Sequence, residues 1–327
     1  MHWEAPDRLA MTIFAREPFR KLELRRRQGQ RRAEIDRSSE MREQRILFLG
    51  YGFVARALAR RLSARRWRLS GTHRRADQAP FLAAEAIEPA AWTAEGVASI
   101  AFDGVDAVLV STPPDERGCP ALAAAGGALS KAAPTWIGYL STNGVYGDYG
   151  GAVVDERSAL RATSSRARAR IAAEESWRSF AAKHGHRLVI FRLPGIYGPG
   201  RSAFDQIREG RAQRIYKPGQ VFSRMHVDDI AAAIAASIDR PNSGALFNLA
   251  DDEPAPPQDV IEYACRLLGV EPPPLVPLED ANMSEMARSF YADNKRVSNA
   301  LMKRALGVTL AYPTYREGLE AILAGGG

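Results

Sequence analysis

A short apolar run that stops at a glycine turn constrains this 327-residue chain more than any other segment. The run Ile46–Leu49 leads into Gly50-x-Gly52-x-x-Ala55, and a helical pattern rich in Ala, Arg and Leu follows at once. This spacing is typical of a strand, a tight turn and a helix. The first glycine permits the turn, the second allows close backbone approach to a ligand, and the alanine lets the helix pack on the strand.

The glycine turn predicts a site for the pyrophosphate of a dinucleotide. The free N–H groups and the dipole at the N-terminus of the following helix favour an anion there. An ordinary tight turn without a ligand is the alternative interpretation. The predicted cofactor contacts, including two at the end of a later strand, are Gly50, Tyr51, Gly52, Phe53, Val54, Thr72, Arg74, Thr112 and Pro113.

The second predicted strand, Trp67–Thr72, bears on which dinucleotide binds. About 20 residues after the glycines, an Asp or Glu would bind the ribose 2′-hydroxyl of NAD. Here Thr72 is followed by Arg74 and Arg75, and the next carboxylate is Asp77. Because a guanidinium forms forked, charge-assisted hydrogen bonds to phosphate, the sequence favours NADP, with NAD possible. The alternative is that both arginines only solvate a loop.

Composition limits the location and the chemistry. Two cysteines give neither a disulfide framework nor metal-ligand spacing, which favours a reducing cytoplasm. The pair His184 and His186 has no Cys or carboxylate cluster beside it, so no metal site is expected. No uninterrupted apolar run is long enough to span a bilayer, so no membrane association is expected.

The N-terminal 44 residues contain much of the basic character behind the net charge of +7. They show no strand or helix period, and we expect residues 1–44 to be a disordered basic extension. They contain no apolar core of a secretory signal, and their acidic residues argue against a transit peptide. Nucleic-acid binding through this extension is the weakest functional hypothesis.

Beyond residue 45, predicted strands alternate with predicted helices. This alternation predicts an α/β fold with one doubly wound parallel sheet and a small C-terminal lobe. We expect residues 45–327 to form this domain, with the lobe built mainly from residues 198–226 and 270–327. The further predicted strands are Val105–Thr112, Thr135–Thr142, Arg187–Arg192 and Ala245–Leu249; the helices are Thr163–Lys183, Asp228–Ser237, Pro257–Leu268 and Thr314–Leu323.

Several segments in this order resemble the extended and atypical short-chain dehydrogenase/reductases of the NAD(P)-dependent epimerase/dehydratase type. Besides the glycine turn they are Ser141–Asp148, Arg192–Gly200, Met225–Ala231 and Tyr312–Leu319. The resemblance covers about residues 45–324 and implies a Rossmann fold, with Pro194 at the cofactor. It also implies a possible homodimer, because the helix at 163–183 matches one that commonly builds family dimers.

The resemblance also assigns catalytic positions, and this chain departs from them. Thr142 matches the family Ser or Thr that orients the substrate oxygen. Arg166 and Arg170 stand where the family has Tyr and Lys, and Arg170 would contact the nicotinamide ribose. Arginine stays protonated at biological pH and cannot act as the general base.

Three other residues are hypotheses for the missing base. They are Tyr197, Tyr146 and His226, with Tyr197 the leading candidate and a structural role the alternative for each. A cationic substrate pocket for a phosphate, nucleotide or carboxylate is a further hypothesis. Its residues would be Arg192, Arg201 and Arg224, and His226 is a further predicted substrate residue. Surface solvation is the alternative for these arginines.

Two nearby acidic segments are given structural roles. Asp228-Asp229 is expected to cap the following helix, and Asp251-Asp252-Glu253 is expected to be a solvated turn. Two functions remain open for the chain. One is an NAD(P)-dependent oxidoreductase or epimerase acting on an unknown small polar substrate, and the other is a non-catalytic NADP(H)-binding redox sensor.

Overall fold

The glycine turn joins the first strand, β1, to the first helix, α1, as the sequence predicts. In this computed structural model the described residues are 43–93, 102, 104–132 and 134–326. The predicted disordered extension therefore lies almost entirely outside the described residues. The prediction that residues 45–327 form one domain with a substrate lobe stays a prediction.

Twenty-three helices and strands, together with two short 3₁₀ helices at 76–78 and 143–146, are found in the described part of the chain. The strands are β1 Arg45–Leu49, β2 Arg68–His73, β3 Glu88–Ala91, β4 Ala107–Val110, β5 Trp136–Thr142, β6 Val153–Val154, β7 Leu188–Leu193, β8 Gly195–Tyr197, β9 Arg214–Tyr216, β10 Arg224–His226, β11 Leu246–Asn248, β12 Leu275–Pro277 and β13 Arg296–Val297. The helices are α1 Phe53–Ser63, α2 Ala79–Ala84, α3 Pro120–Leu129, α4 Ser165–His184, α5 Ala203–Arg208, α6 Val227–Asp239, α7 Pro257–Leu268, α8 Glu285–Phe290, α9 Ala300–Leu306 and α10 Tyr315–Ala324.

Seven strands form one parallel sheet in the order β11-β7-β5-β4-β1-β2-β3. The strand order reverses between β1 and β4, because the chain builds outward from β1 in both directions. Ligands of open parallel sheets bind at this switch point, outside the carboxyl ends of the strands. The topology therefore places the glycine turn at the expected ligand crevice.

Side chains alternate between the two faces of the sheet, and helices cover both. From β1, Ile46 and Phe48 pack with α1 and α6, whereas Leu47 and Leu49 pack with α3 and α4. Burial on both faces explains why the central strands are continuous apolar runs rather than alternating ones. The predicted doubly wound Rossmann fold is confirmed.

Three helices of the C-terminal half, which we call the C-terminal lobe, surround a further hydrophobic core. Helices α5, α7 and α10 pack around buried residues that include Phe204, Tyr263 and Leu319. Three two-stranded parallel pairs accompany it, namely β8 with β10, β9 with β12 and β6 with β13. In the part of the chain that the structure describes, no helix is long and apolar enough to cross a membrane.

Candidate cofactor site and active site

The two glycines of the turn meet different surroundings. Gly50 has φ of +94°, and a Cβ there would lie 2.8 Å from Ser111 Oγ and 3.0 Å from Thr112 Cγ2. At Gly52 a Cβ would meet nothing within 4 Å among the described residues, and φ is an ordinary −103°. Gly50 is therefore required by the fold, whereas the space beside Gly52 is open for a ligand.

Thr72, predicted to contact the cofactor, forms hydrogen bonds that stabilise the glycine turn. It is buried, and its Oγ1 accepts a hydrogen bond from Gly50 N at 2.7 Å. The same hydroxyl donates to Phe48 O at 3.3 Å, and Tyr51 N donates to Thr72 O at 3.3 Å. The Thr72 hydroxyl makes both of these hydrogen bonds within the fold, so the role of Thr72 in the site is to hold the glycine turn.

The end of β4 lies against the same turn. Ser111 Oγ donates to Gly50 O, and Ser111 N and Thr112 N approach Leu49 O at 3.0 and 3.3 Å. Thr112 Oγ1 is a buried atom with no hydrogen-bond partner among the described residues. Leaving a buried hydroxyl without a hydrogen bond costs free energy. Thr112 Oγ1 is therefore available to form a hydrogen bond with a bound polar group. Pro113 follows it as an exposed residue.

The N-terminus of α1 presents free backbone donors to this space. Gly52 is the N-cap residue, no side chain caps the helix, and no acidic residue occupies its first turn. Phe53 and Val54, two of the predicted cofactor contacts, are the first two residues of this helix. Tyr51 points away, since its hydroxyl donates to Glu85 Oε2 at 2.9 Å, and burial together with this bond raises its pKa.

The two arginines after β2 are not equivalent. Arg75 forms an ion pair with Asp77. The exposed side chain of Arg74 has no hydrogen-bond or ion-pair partner in the described ranges, while its backbone N donates to Gln78 Oε1 at 3.2 Å. Arg74 therefore has the free guanidinium that the sequence predicts for a 2′-phosphate.

The residues present thus fit a dinucleotide. An open glycine, uncapped helical N–H groups, an orphaned threonine hydroxyl and a free arginine lie along the carboxyl ends of β1, β4 and β2. Pro194 lies at the carboxyl end of β7 as a half-buried residue. The helical N–H groups, the threonine hydroxyl and the guanidinium are of types that recognise phosphate or ribose oxygen.

Thr142 ends β5, where the family pattern predicts the substrate-orienting residue. It is half-buried, and its Oγ1 accepts from Gly144 N at 3.1 Å, which caps the following 3₁₀ helix. The hydroxyl proton is still available to donate to a substrate oxygen. The preceding Ser141 is buried and donates to Glu174 Oε1 at 2.6 Å.

The two arginines at the positions where the resemblance predicts Tyr and Lys lie on the first turns of α4. Arg166 is exposed, with its guanidinium carbon 4.7 Å from the ring centroid of Phe290 in α8. Arg170 is half-buried and donates through Nη1 to Leu140 O at 2.7 Å and Tyr139 Oη at 3.3 Å. Arg170 is therefore held against β5 through Nη1. The other N–H groups of its guanidinium could donate hydrogen bonds to a ribose.

Arg192 has a structural role, which corrects its predicted place in a substrate pocket. Its side chain is 3% exposed and binds Glu174 through Nη2 at 2.8 Å and Nε at 3.1 Å. Burial alone would raise the pKa of Glu174, but Arg192 and Ser141 outweigh it and lower that pKa. The network continues from Arg192 Nη1 to Tyr146 Oη at 3.0 Å and on to Asn248 Oδ1 at 2.7 Å. The Tyr146 hydroxyl is therefore also hydrogen-bonded within this buried network.

A second buried cluster brings together Tyr197, Arg224 and His226. The rings of Tyr197 and His226 are 5.3 Å apart, and Tyr197 Oη donates to Thr314 O at 3.3 Å. His226 Nδ1 accepts from Asp228 N at 3.2 Å and so caps α6. Burial raises the pKa of Tyr197 and lowers that of His226, although two carboxylates oppose the shift at His226. These contacts favour structural roles for Tyr197 and His226.

Asp251 belongs to the same cluster, which corrects the prediction of a solvated turn. It is 2% exposed, and its Oδ2 has no hydrogen-bond partner among the described residues. Arg224 Nη1 is likewise a buried atom without a partner there, and its Nη2 donates to Ala255 O at 3.3 Å. Burial raises the pKa of Asp251 to about 8, against the opposing effect of Arg224.

The predicted cationic substrate site is therefore not one pocket. Arg192 is buried in one cluster, Arg224 is half-buried in the other, and Arg201 is exposed on a loop beside Phe53. The Asp228-Asp229 pair lies in the first turn of α6 as predicted, but His226 is its capping residue. Asp229 instead accepts from Ala311 N and Tyr312 N, both at 2.9 Å.

Known proteins resemble the chain in sequence and in structure. Residues 127–250 match the model of the NAD dependent epimerase/dehydratase family. Protein YeeZ of Escherichia coli K12 is 27% identical over 285 residues, which cover 82% of this chain and 96% of YeeZ.

Solved structures also match most of the chain. A conserved protein of unknown function from Silicibacter pomeroyi is 48% identical, with a TM-score of 0.81 over 86% of this chain and 99% of that one. A protein provisionally named an NAD-dependent epimerase/dehydratase, from Methylobacillus flagellatus, is 26% identical, with a TM-score of 0.66 over 87% and 99% of the two chains. The human epimerase family protein SDR39U1, solved with NADPH, shares the fold at 17% identity, a TM-score of 0.67 and coverage of 86% and 99%.

Proposed function

We propose that this protein is an NADP(H)-dependent oxidoreductase or epimerase that acts at a secondary alcohol or ketone of a small polar substrate. The observation that carries the proposal is the glycine turn, which requires glycine at position 50 and is open beside Gly52, at the switch point of the sheet. The match of residues 127–250 to this family model and the NADPH in the human structure support a nicotinamide dinucleotide. The free side chain of Arg74 supports NADP over NAD.

The cofactor would be held by groups from three strand ends. The backbone of Gly52, Phe53 and Val54 would bind the pyrophosphate, Thr112 a neighbouring polar group and Arg74 the 2′-phosphate. Arg170 would offer its unused N–H groups to the ribose beside the nicotinamide. When bound, such a cofactor accepts or returns a hydride.

The chain's own residues would orient and polarise the substrate oxygen. Thr142 would donate a hydrogen bond from its hydroxyl to that oxygen at the end of β5. Arg166 would stabilise negative charge on the oxygen, but it would not accept a proton. Since Tyr146, Tyr197 and His226 are all engaged in buried contacts, we propose that the proton passes to solvent rather than to any of them.

A non-catalytic NADP(H) sensor is the second candidate. The observation that favours it is the pair Arg166 and Arg170 at the family Tyr and Lys positions, with Arg166 stacked on Phe290. A sensor needs the cofactor residues but no acid–base group. Such a protein would distinguish NADPH from NADP⁺ without turning over a substrate.

Deuterium transfer separates the two candidates. NADPH carrying deuterium at the nicotinamide C4 is incubated with ketones of nucleotide sugars and other small polar ketones, and products are read by mass spectrometry. The proposal expects a deuterated product, lost in Thr142→Val while NADPH affinity is kept. A wild-type protein that binds NADPH but labels no compound, and that prefers one redox state, would favour the sensor.

A further inference from the structure

Arg201 lies on a tight loop between β8 and α5. Gly198 N donates to Arg201 O at 3.1 Å, and Arg201 N donates to Gly198 O at 3.0 Å. The two residues between them complete a closed turn, in which Gly200 has φ of +74°. The position of Arg201 is therefore fixed by its backbone, even though its side chain is exposed.

This loop rests on the first residue of α1. A Cβ at Gly198 would lie 3.2 Å from Phe53 Cζ and 2.7 Å from Val227 Cγ1, so only glycine allows this approach. The guanidinium carbon of Arg201 is 5.7 Å from the ring centroid of Phe53. Arg201 is thus carried to the helix N-terminus that faces the glycine turn, and not to the cluster around Arg224.

The charge of Arg201 is available there. Two other arginines of this region are paired, Arg56 with Glu85 and Arg60 with Asp228. Arg201 has no side-chain hydrogen bond or ion pair to any residue in the described ranges. An exposed cation close to the side chain of the first residue of α1 would add a full charge to the partial positive charge of the helix N-terminus.

We propose that Arg201 binds the pyrophosphate of the dinucleotide, and so joins the C-terminal lobe to the cofactor, instead of binding the substrate. The inference rests on the proposed function, because it assigns one more residue to the same cofactor. NAD and NADP share the pyrophosphate and differ in the 2′-phosphate. Arg201 therefore strengthens the binding of NAD and NADP equally, whereas Arg74 strengthens the binding of NADP alone.

Fluorescence titrations of Arg201→Ala with NADPH and NADH test this assignment. We expect both affinities to fall about tenfold, the size of one lost charge-assisted hydrogen bond. The loss should shrink at high salt, because salt screens an exposed cation. Arg211→Ala is the matched control, since it removes an exposed arginine of the same lobe that is paired with Glu209. The thermal midpoint of Arg201→Ala should equal that of the wild type.

The outcomes separate this inference from the proposed function. If the wild type binds both nucleotides and Arg201→Ala binds them as Arg211→Ala does, the assignment of Arg201 is wrong and the cofactor site stands. A loss confined to NADPH would also overturn it, because that pattern belongs to a 2′-phosphate contact. A wild type that binds neither nucleotide would overturn the proposed function itself.

Discussion

Asp251 shows how one buried residue sets a pH dependence. Burial raises its pKa from 3.8 to about 8, so the folded protein keeps a proton that the unfolded chain releases. Between about pH 4 and pH 8 the folded state binds more protons, and its stability falls as the pH rises. We therefore expect Asp251→Asn to become steadily more stable relative to the wild type over this range, by at most about 1.4 kcal/mol per pH unit.

Urea unfolding of the wild type and Asp251→Asn at a series of pH values measures this difference. Asp252→Asn is the matched control, because Asp252 is exposed and paired with Lys303 at 2.6 Å. A stability difference between wild type and Asp251→Asn that stays constant with pH would show that the buried carboxyl is not held protonated.

The burial of charged residues such as Asp251 and Arg192 could not be predicted from the sequence. Nothing in the sequence Asp251-Asp252-Glu253 shows that Asp251 is buried. Its burial depends on a contact with a segment far away in sequence, in which Asp251 N donates to Arg224 O at 2.7 Å. Arg192 likewise looks like any arginine at a strand end until Glu174 meets it from α4. Long-range partners decide both cases, and a single sequence does not display them.

At the scale of elements, the β1–α1 turn makes a prediction that separates folding from binding. Gly50→Ala places a side chain at φ of +94° and against Ser111 and Thr112, so it should lower the thermal midpoint markedly. Gly52→Ala meets open space at an ordinary φ and should fold like the wild type. Its methyl group, however, would stand where the pyrophosphate approaches, and nucleotide binding should be lost.

Thermal melts and NADPH titrations of the two variants check this contrast. The cofactor site at the turn would be contradicted if Gly52→Ala bound NADPH as tightly as the wild type. The fold argument would be contradicted if Gly50→Ala melted at the wild-type temperature.

Long elements could be predicted from the sequence and short ones could not. The helix predicted at Pro257–Leu268 has those bounds in the structure, and the predicted strand Thr135–Thr142 begins only one residue later, at Trp136. Strands of two or three residues such as β8 and β10 show no period in a sequence. Their pairing nevertheless brings Tyr197 beside His226, and this is why the buried cluster was not predicted.

At the scale of the whole molecule, the sheet order follows from the alternation of strands and helices. Parallel strands joined by helices place their carboxyl ends on one edge, so the glycine turn, Thr112 and Thr142 could be assigned to one site in advance. The position of Arg201 could not, because it depends on how the C-terminal lobe rests on Phe53.

The central claim is that this sheet edge binds NADP(H), and a fluorescence titration of the wild type and Arg74→Ala with NADPH and NADH tests it most directly. The account predicts that the wild type binds NADPH more tightly than NADH. Arg74→Ala should remove most of that difference by weakening NADPH about tenfold, while NADH affinity stays unchanged. A wild-type protein that binds neither nucleotide would contradict the account.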